Sequence, residues 1–217
     1  MAFAGANVAS IVVLVATGHA DGSVGDVPTW LVAASTAAMW AVYLVVLRAR
    51  FRADGASGLR DGAGLSVRAA DAWGAPLGVA SQLVLVNLVN WPLSRMFPDQ
   101  FSGDKVSMRA DDLVDAAGGA WFLLLFVVVV VGAPVVEEIV YRGYLQPSLA
   151  SSWGPFLGVG VTAVLFAAIH FVPVEFPGLL AFALVLGWAR QRTGRLGLPI
   201  VTHLAFNATG LVLVALR

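Results

Sequence analysis

The sequence predicts an all-α protein: a polytopic bundle of about seven membrane helices, with a short re-entrant-like hairpin in the C-terminal half. Three observations predict it. Of the 217 residues, 59% are hydrophobic and 12% charged, about half the charge of a soluble domain. The mean hydropathy is +0.85. The charges are also grouped, which leaves apolar tracts near the roughly 20 residues that a membrane helix needs.

The segments follow in order: about 2–18, 29–47, 75–93, 119–141, 155–172, 177–190 and 197–215. The first starts without the basic residues of a cleavable signal peptide, so it is taken as a membrane segment, weakened by Gly5, Asn7 and Ser10. Arg48, Arg50, Arg52, Arg60 and Arg68 crowd one loop, and Arg190, Arg192 and Arg195 another. The alternate loops carry Asp21 and Asp26, then Asp99, Asp104, Asp111, Asp112 and Asp115, then Glu175. The positive-inside rule makes the Arg-rich loops cytoplasmic, which predicts a multi-pass protein of the cell membrane with a cytoplasmic N-terminus and an external C-terminus. Arg95, Lys105 and Arg109 dilute that signal. The later half of 94–118 is polar and suits an amphipathic surface helix, while the Gly-rich 48–74 loop reads as a flexible connection. There is no internal repeat, and the whole chain reads as one integral membrane domain, with N-terminal segments and loops over 1–118 and a core over 119–217.

Composition excludes several functions. A net charge of +0 argues against nucleic acid as a partner, and the absence of cysteine removes disulfides, thiolate metal sites and cysteine nucleophiles. The lipid bilayer is the expected surrounding.

Ionisable groups inside membrane segments cost about 2.5–3.5 kcal/mol each on insertion scales and usually face a functional interior. The candidates are Glu137, Glu138, His170 and His203, with Asn87, Asn90 and Asn207 as uncharged company. Glu138 and Arg142 are four apart and can pair on one helical face, which directs Glu137 about 100° away. Phe166 with His170, and His203 with Asn207, repeat the four-residue spacing on two further helices. Each pair has a bland reading: an interfacial salt bridge, a packed histidine, an interhelical polar clasp. The segment 177–190 spans only about 20 Å at 1.5 Å per residue, so the hairpin tip "HFVPVEFPG" is expected at depth, bringing His170 toward the other groups.

Together, "EEIVYR", "FAAIH" and "HLAFN", with the lead-in "RTGRLGLPIVTH", resemble the three ordered motifs of the CAAX-protease and bacteriocin-processing family of intramembrane proteases, also called Abi or CPBP. The resemblance covers roughly 119–210 and makes 119–217 the catalytic core. It implies an endopeptidase in which Glu137 activates water, His170 holds that water or shuttles protons, and His203 and Asn207 donate to the developing oxyanion. Glu138 and Arg142, with Phe166, would support the site. The residue types suit the chemistry, which needs a base matched to the working pH and donors aimed at the tetrahedral oxygen. A metal version would use Glu137, His170 and His203 as a two-histidine, one-carboxylate zinc site. The metal-free version is preferred, because no further carboxylate is left to orient each histidine.

The expected partner is a peptide or membrane-protein substrate, prenylated or not; the oligomeric state stays unassigned. "GASG" at Gly55–Gly58 lies in the Arg-rich loop and is not taken as a serine-protease motif; no H-E-x-x-H helix or intramembrane aspartate pair is present. The rival functions are a proton- or ion-coupled transporter, which would need two related halves, and a non-catalytic scaffold.

Overall fold

The structure, a computed structural model, describes residues 12–18 and 27–217. Seven helices organise the second of these stretches: α1 (Thr29–Ala53), α2 (Ala69–Met96), α3 (Gly103–Ala116), α4 (Trp121–Trp153), α5 (Pro155–Ala168), α6 (Phe176–Thr193) and α7 (Gly197–Ala215). No strand occurs among the described residues. Four of the helices (α1, α2, α4 and α7) are long and apolar enough to cross a membrane; α5 is apolar but shorter. The all-helical reading therefore stands, while the count of about seven crossings is not reproduced. Most of the expected first segment, and the loop with Asp21 and Asp26, lie outside the described residues.

The hairpin of the C-terminal half differs from expectation in a specific way. Its first arm, α5, is the short one, with 14 residues, and ends at Ala168 rather than near 172. Its second arm, α6, runs for 18 residues, or about 27 Å. Arg190, Gln191 and Arg192 end the apolar stretch but are good helix formers, so the helix continues through them. It stops at Gly194, whose φ of 68° supplies the left-handed cap.

Small residues set the closest contacts. Gly74 and Gly78 of α2 lie directly against the Thr202 backbone of α7, with no room for a Cβ. Gly154 (φ 86°) turns α4 into α5, and Gly158 then packs on Ala150. The main core gathers Tyr43 and Phe51 of α1, Val136 and Val140 of α4, Phe166 of α5, Ala183 of α6 and Ile200 of α7. Exposed Trp73 and Trp91 lie 18 positions apart on α2, about 27 Å, close to the roughly 30 Å hydrocarbon thickness that interfacial tryptophans bracket.

The 48–74 loop is more than a connection. Leu59–Gly62 forms one helical turn, and Ala63 is fully buried against Gly143 of α4. The Gly64 carbonyl accepts from Leu196 N–H at 3.0 Å. Asp71, also buried, receives Arg195 at 2.8 Å and Arg68 N–H at 2.7 Å. This loop thus ties the start of α2 to the start of α7. Downstream, Gly103–Ala116 forms the expected helix, with Ser102 Oγ capping Lys105 N–H.

Candidate active site

The site is built on α4, and two prolines shape that helix. Ala133 N–H bonds back to Val128 C=O across a π turn, Val127–Gly132. The next carbonyl in that register, Val129, would need an N–H from residue 134, and Pro134 has none. Asn207 Nδ2 of α7 supplies the missing donor at 2.8 Å. The pattern repeats thirteen residues on. Gln146 N–H bonds to Tyr141 C=O across a second π turn, Ile139–Leu145, and Pro147 leaves the Arg142 carbonyl without its partner. Arg190 Nε of α6 donates to it at 3.0 Å. Between the two π turns lies Ala133–Glu138, the α-helical segment that ends in both carboxylates.

Those carboxylates have separate environments, as the 100° offset predicts. Glu138 is fully buried, and its Oε1 accepts from Arg142 Nη1 and from His203 Nδ1, each at 2.9 Å. Arg142, also fully buried, donates from Nη2 to the Ala183 carbonyl at 3.0 Å and lies 4.5 Å from the centre of the Phe166 ring. The expected Glu138–Arg142 pair is present, but deep inside the bundle rather than at an interface. Gln146, one step further along α4, donates to Gly187 C=O at 3.0 Å. Arg142 and Gln146 therefore bond successive turns of α6, and Gln146 was not picked out from the sequence.

Glu137 has 28% of its side chain exposed, and its Oε2 lies 3.8 Å from His203 Nε2. A carboxylate accepts and does not donate, so the Glu138 contact fixes the proton of His203 on Nδ1 and leaves Nε2 turned toward Glu137. Phe166 and Phe182 flank the imidazole edge-on at 5.7 and 5.3 Å, which holds its plane. His170 lies in the turn just past α5; its Nδ1 donates to Phe166 C=O at 2.8 Å, and its ring packs on Phe166 at 5.1 Å. Phe171, the next residue, has φ 54°, a strained value for an aromatic residue, and the chain reverses there.

Glu137, His170, His203 and Asn207 line one cavity of about 570 Å³, which Trp40, Val86, Asn90 and Glu175 also border. A second, of about 240 Å³, reaches Glu137 and His170 from the α1 side, past Tyr43 and Tyr141. The structure therefore brings Glu137, His170, His203 and Asn207 to one cavity. Asn87 does not join them: it is exposed and returns its amide to Leu83 C=O at 2.8 Å. Among the described residues, no three His, Asp or Glu side chains are grouped as a metal ion requires.

Four helices long and apolar enough to cross a membrane define a multi-pass membrane protein, and its bundle places Glu137, His170 and His203 around one cavity. Its kinship follows from comparison. Residues 119–209, which carry Glu137, His170, His203 and Asn207, are similar to the family model described as type II CAAX prenyl endopeptidase Rce1-like. An uncharacterized 24.3 kDa protein of Escherichia coli is 31% identical over 98 residues, 42% of this chain. The chain spans 44% of the length of that relative. No solved structure matches.

Proposed function

We propose that the chain is an intramembrane endopeptidase that cleaves a hydrophobic peptide segment at the cavity beside Glu137. One observation carries the reading: Glu137, His170, His203 and Asn207, drawn from three separate parts of the sequence, line the same internal cavity. In the proposed reaction Glu137 takes a proton from a water held with the help of His170. The water oxygen attacks the scissile carbonyl carbon, and the carbonyl oxygen becomes the oxyanion. His203 and Asn207 stabilise that oxyanion. The Asn207 amide has two hydrogens, of which Val129 C=O takes one. Glu137 then passes its proton to the leaving amine as the C–N bond breaks. Glu138 acts by holding His203, and Arg142 by neutralising Glu138. The family's description supports a substrate with a prenylated C-terminus as one member of this class.

The test is cleavage of labelled hydrophobic peptides by the reconstituted protein. Glu137→Gln and His170→Ala are each expected to lose activity by about 100-fold or more, the usual weight of a general base. Cleavage unchanged in both variants would refute the assignment. A chelator arm is included, and loss of cleavage that zinc restores would replace the metal-free mechanism.

A further inference from the structure

The cavity continues beyond the reactive groups. Its opposite wall is α2, a helix outside the family match, which contributes Gln82 and Asn90. Gln82 faces Gly210 of α7, one turn past Asn207; a Cβ on Gly210 would lie 3.5 Å from Gln82 Nε2. Asn90 is eight positions further along α2, about 12 Å along the axis.

Asn90 is unusual for a membrane asparagine. Only 9% of it is exposed, and its Oδ1 has no hydrogen-bond partner among the described residues. Asn87, nearly a turn away, satisfies its amide on its own helix. A buried acceptor left unpaired is costly, and its persistence beside a cavity points to a ligand that completes it. Gly178 of α6 lies beside Asn90: a Cβ there would be 3.3 Å from Val86 and 3.8 Å from the Asn90 amide nitrogen.

An extended peptide in a bilayer has unpaired N–H and C=O groups at every residue, and each is costly away from water. A side-chain amide offers one donor group and one acceptor, the complement of a peptide unit. We propose that Asn90, with Gln82, forms a main-chain clamp that holds an extended hydrophobic peptide in the cavity by hydrogen bonds to its backbone amides. The ~12 Å axial separation of the two positions corresponds to about three or four extended residues at ~3.4 Å each. The inference rests on the cavity being the peptide chamber of the site above.

The experiment measures binding, which does not require cleavage. The probe is a fluorescein-labelled, valine-rich peptide of about ten residues, long enough at ~3.4 Å per residue to reach both amides. Its anisotropy is followed with the full chain in nanodiscs, alongside a set of probes in which one backbone N–H at a time is replaced by an ester oxygen. Asn90→Leu is expected to weaken binding roughly three- to ten-fold, the weight of one neutral hydrogen bond. Its melting temperature should be unchanged or higher, since an unpaired buried amide has been removed. One ester position should cost wild type a similar factor and cost Asn90→Leu nothing further; for Gln82→Leu the silent position should fall three or four residues away. Unchanged affinity in Asn90→Leu, or an ester profile identical in all three proteins, overturns the clamp. The two readings fail separately. Asn90-dependent binding without cleavage would leave the clamp and remove the endopeptidase, and cleavage indifferent to Asn90 would do the reverse.

Discussion

Substituting Glu138 by leucine tests whether the buried trio is a structural necessity, a catalytic support, or both. In the native protein the Arg142 guanidinium is held by Glu138 Oε1 at 2.9 Å, by Ala183 C=O at 3.0 Å and by the Phe166 face at 4.5 Å, and its Nε has no hydrogen-bond partner among the described residues. Removing the carboxylate leaves a fully buried cation with one neutral hydrogen bond and the Phe166 and Tyr141 rings, the latter at 5.9 Å. Breaking a buried pair in this way costs about 3–5 kcal/mol. At roughly 2–4 °C per kcal/mol for a chain of this size, the melt should fall by about 6–20 °C. Replacing both partners, Glu138→Leu with Arg142→Leu, removes the orphaned charge along with the pair and should recover most of that loss. Cleavage should not recover, because His203 Nδ1 has still lost the acceptor that orients its ring. The assay is tryptophan-fluorescence melting in detergent, run beside peptide cleavage on the same preparations. The reasoning is refuted if Glu138→Leu melts with the wild type, or if the double variant melts as low as the single one. Full activity in the double variant would remove Glu138 as a positioning residue and leave it only a place in the fold.

Three further outcomes are expected. Asn207→Leu orphans the Val129 carbonyl and should destabilise by about 1–3 kcal/mol, whereas adding Pro134→Ala restores a backbone N–H and should return part of that in the same melting assay. Gly78→Ala drives a Cβ into the Thr202 carbonyl and should cost about 1–3 kcal/mol by overpacking, while Gly160→Ala, with open space at its Cβ, should be neutral or raise the melt slightly. Asp71→Asn should loosen the tie between the starts of α2 and α7, seen as faster proteolysis within 54–68 with peptide cleavage retained, because Arg195 lies away from the cavity.

What the sequence made legible was chiefly what depends on period and polarity. The Glu138–Arg142 pair survived because residues four apart share a face in an α turn and nearly so in a wider π turn. The position of Glu137 off that face followed from the same angle. His203 and Asn207 were legible as a polar stripe on an apolar helix. Gln146 was not, since at 100° per residue it lies well off the Glu138 face; the π turn at Ile139–Leu145 takes up extra residues and brings it back toward α6. The 48–74 loop was misjudged because glycine content suggests freedom, whereas its glycines there permit close approach: Gly62 lies against Phe51, and Gly64 beside Gly194. Asp71 gave no local signal, for its partner Arg195 is 124 positions away. The length of α6 was missed because hydropathy registers where apolar residues end, and a helix of Arg and Gln continues beyond that point.

Pro134 and Pro147 account for a feature that periodicity does not contain. A proline inside a membrane helix removes a donor, and the carbonyl it strands must be paired by something else, since the bilayer offers no water. Here the two stranded carbonyls face α7 and α6, and they are taken by Asn207 and Arg190. The same prolines sit immediately after π turns, so the segment with Glu137 and Glu138 is rotated relative to the helix on either side of it. The backbone defect and the polar clasp are therefore one device. It fastens the helix of the carboxylates to α7, which carries His203 and Asn207, and to α6, which carries Arg190. A bundle joined only by apolar packing could slide by a fraction of a turn and separate Glu137 from His203. Pairing stranded backbone carbonyls with fixed side chains allows one register, and that register places Glu137 and His203 3.8 Å apart at the cavity.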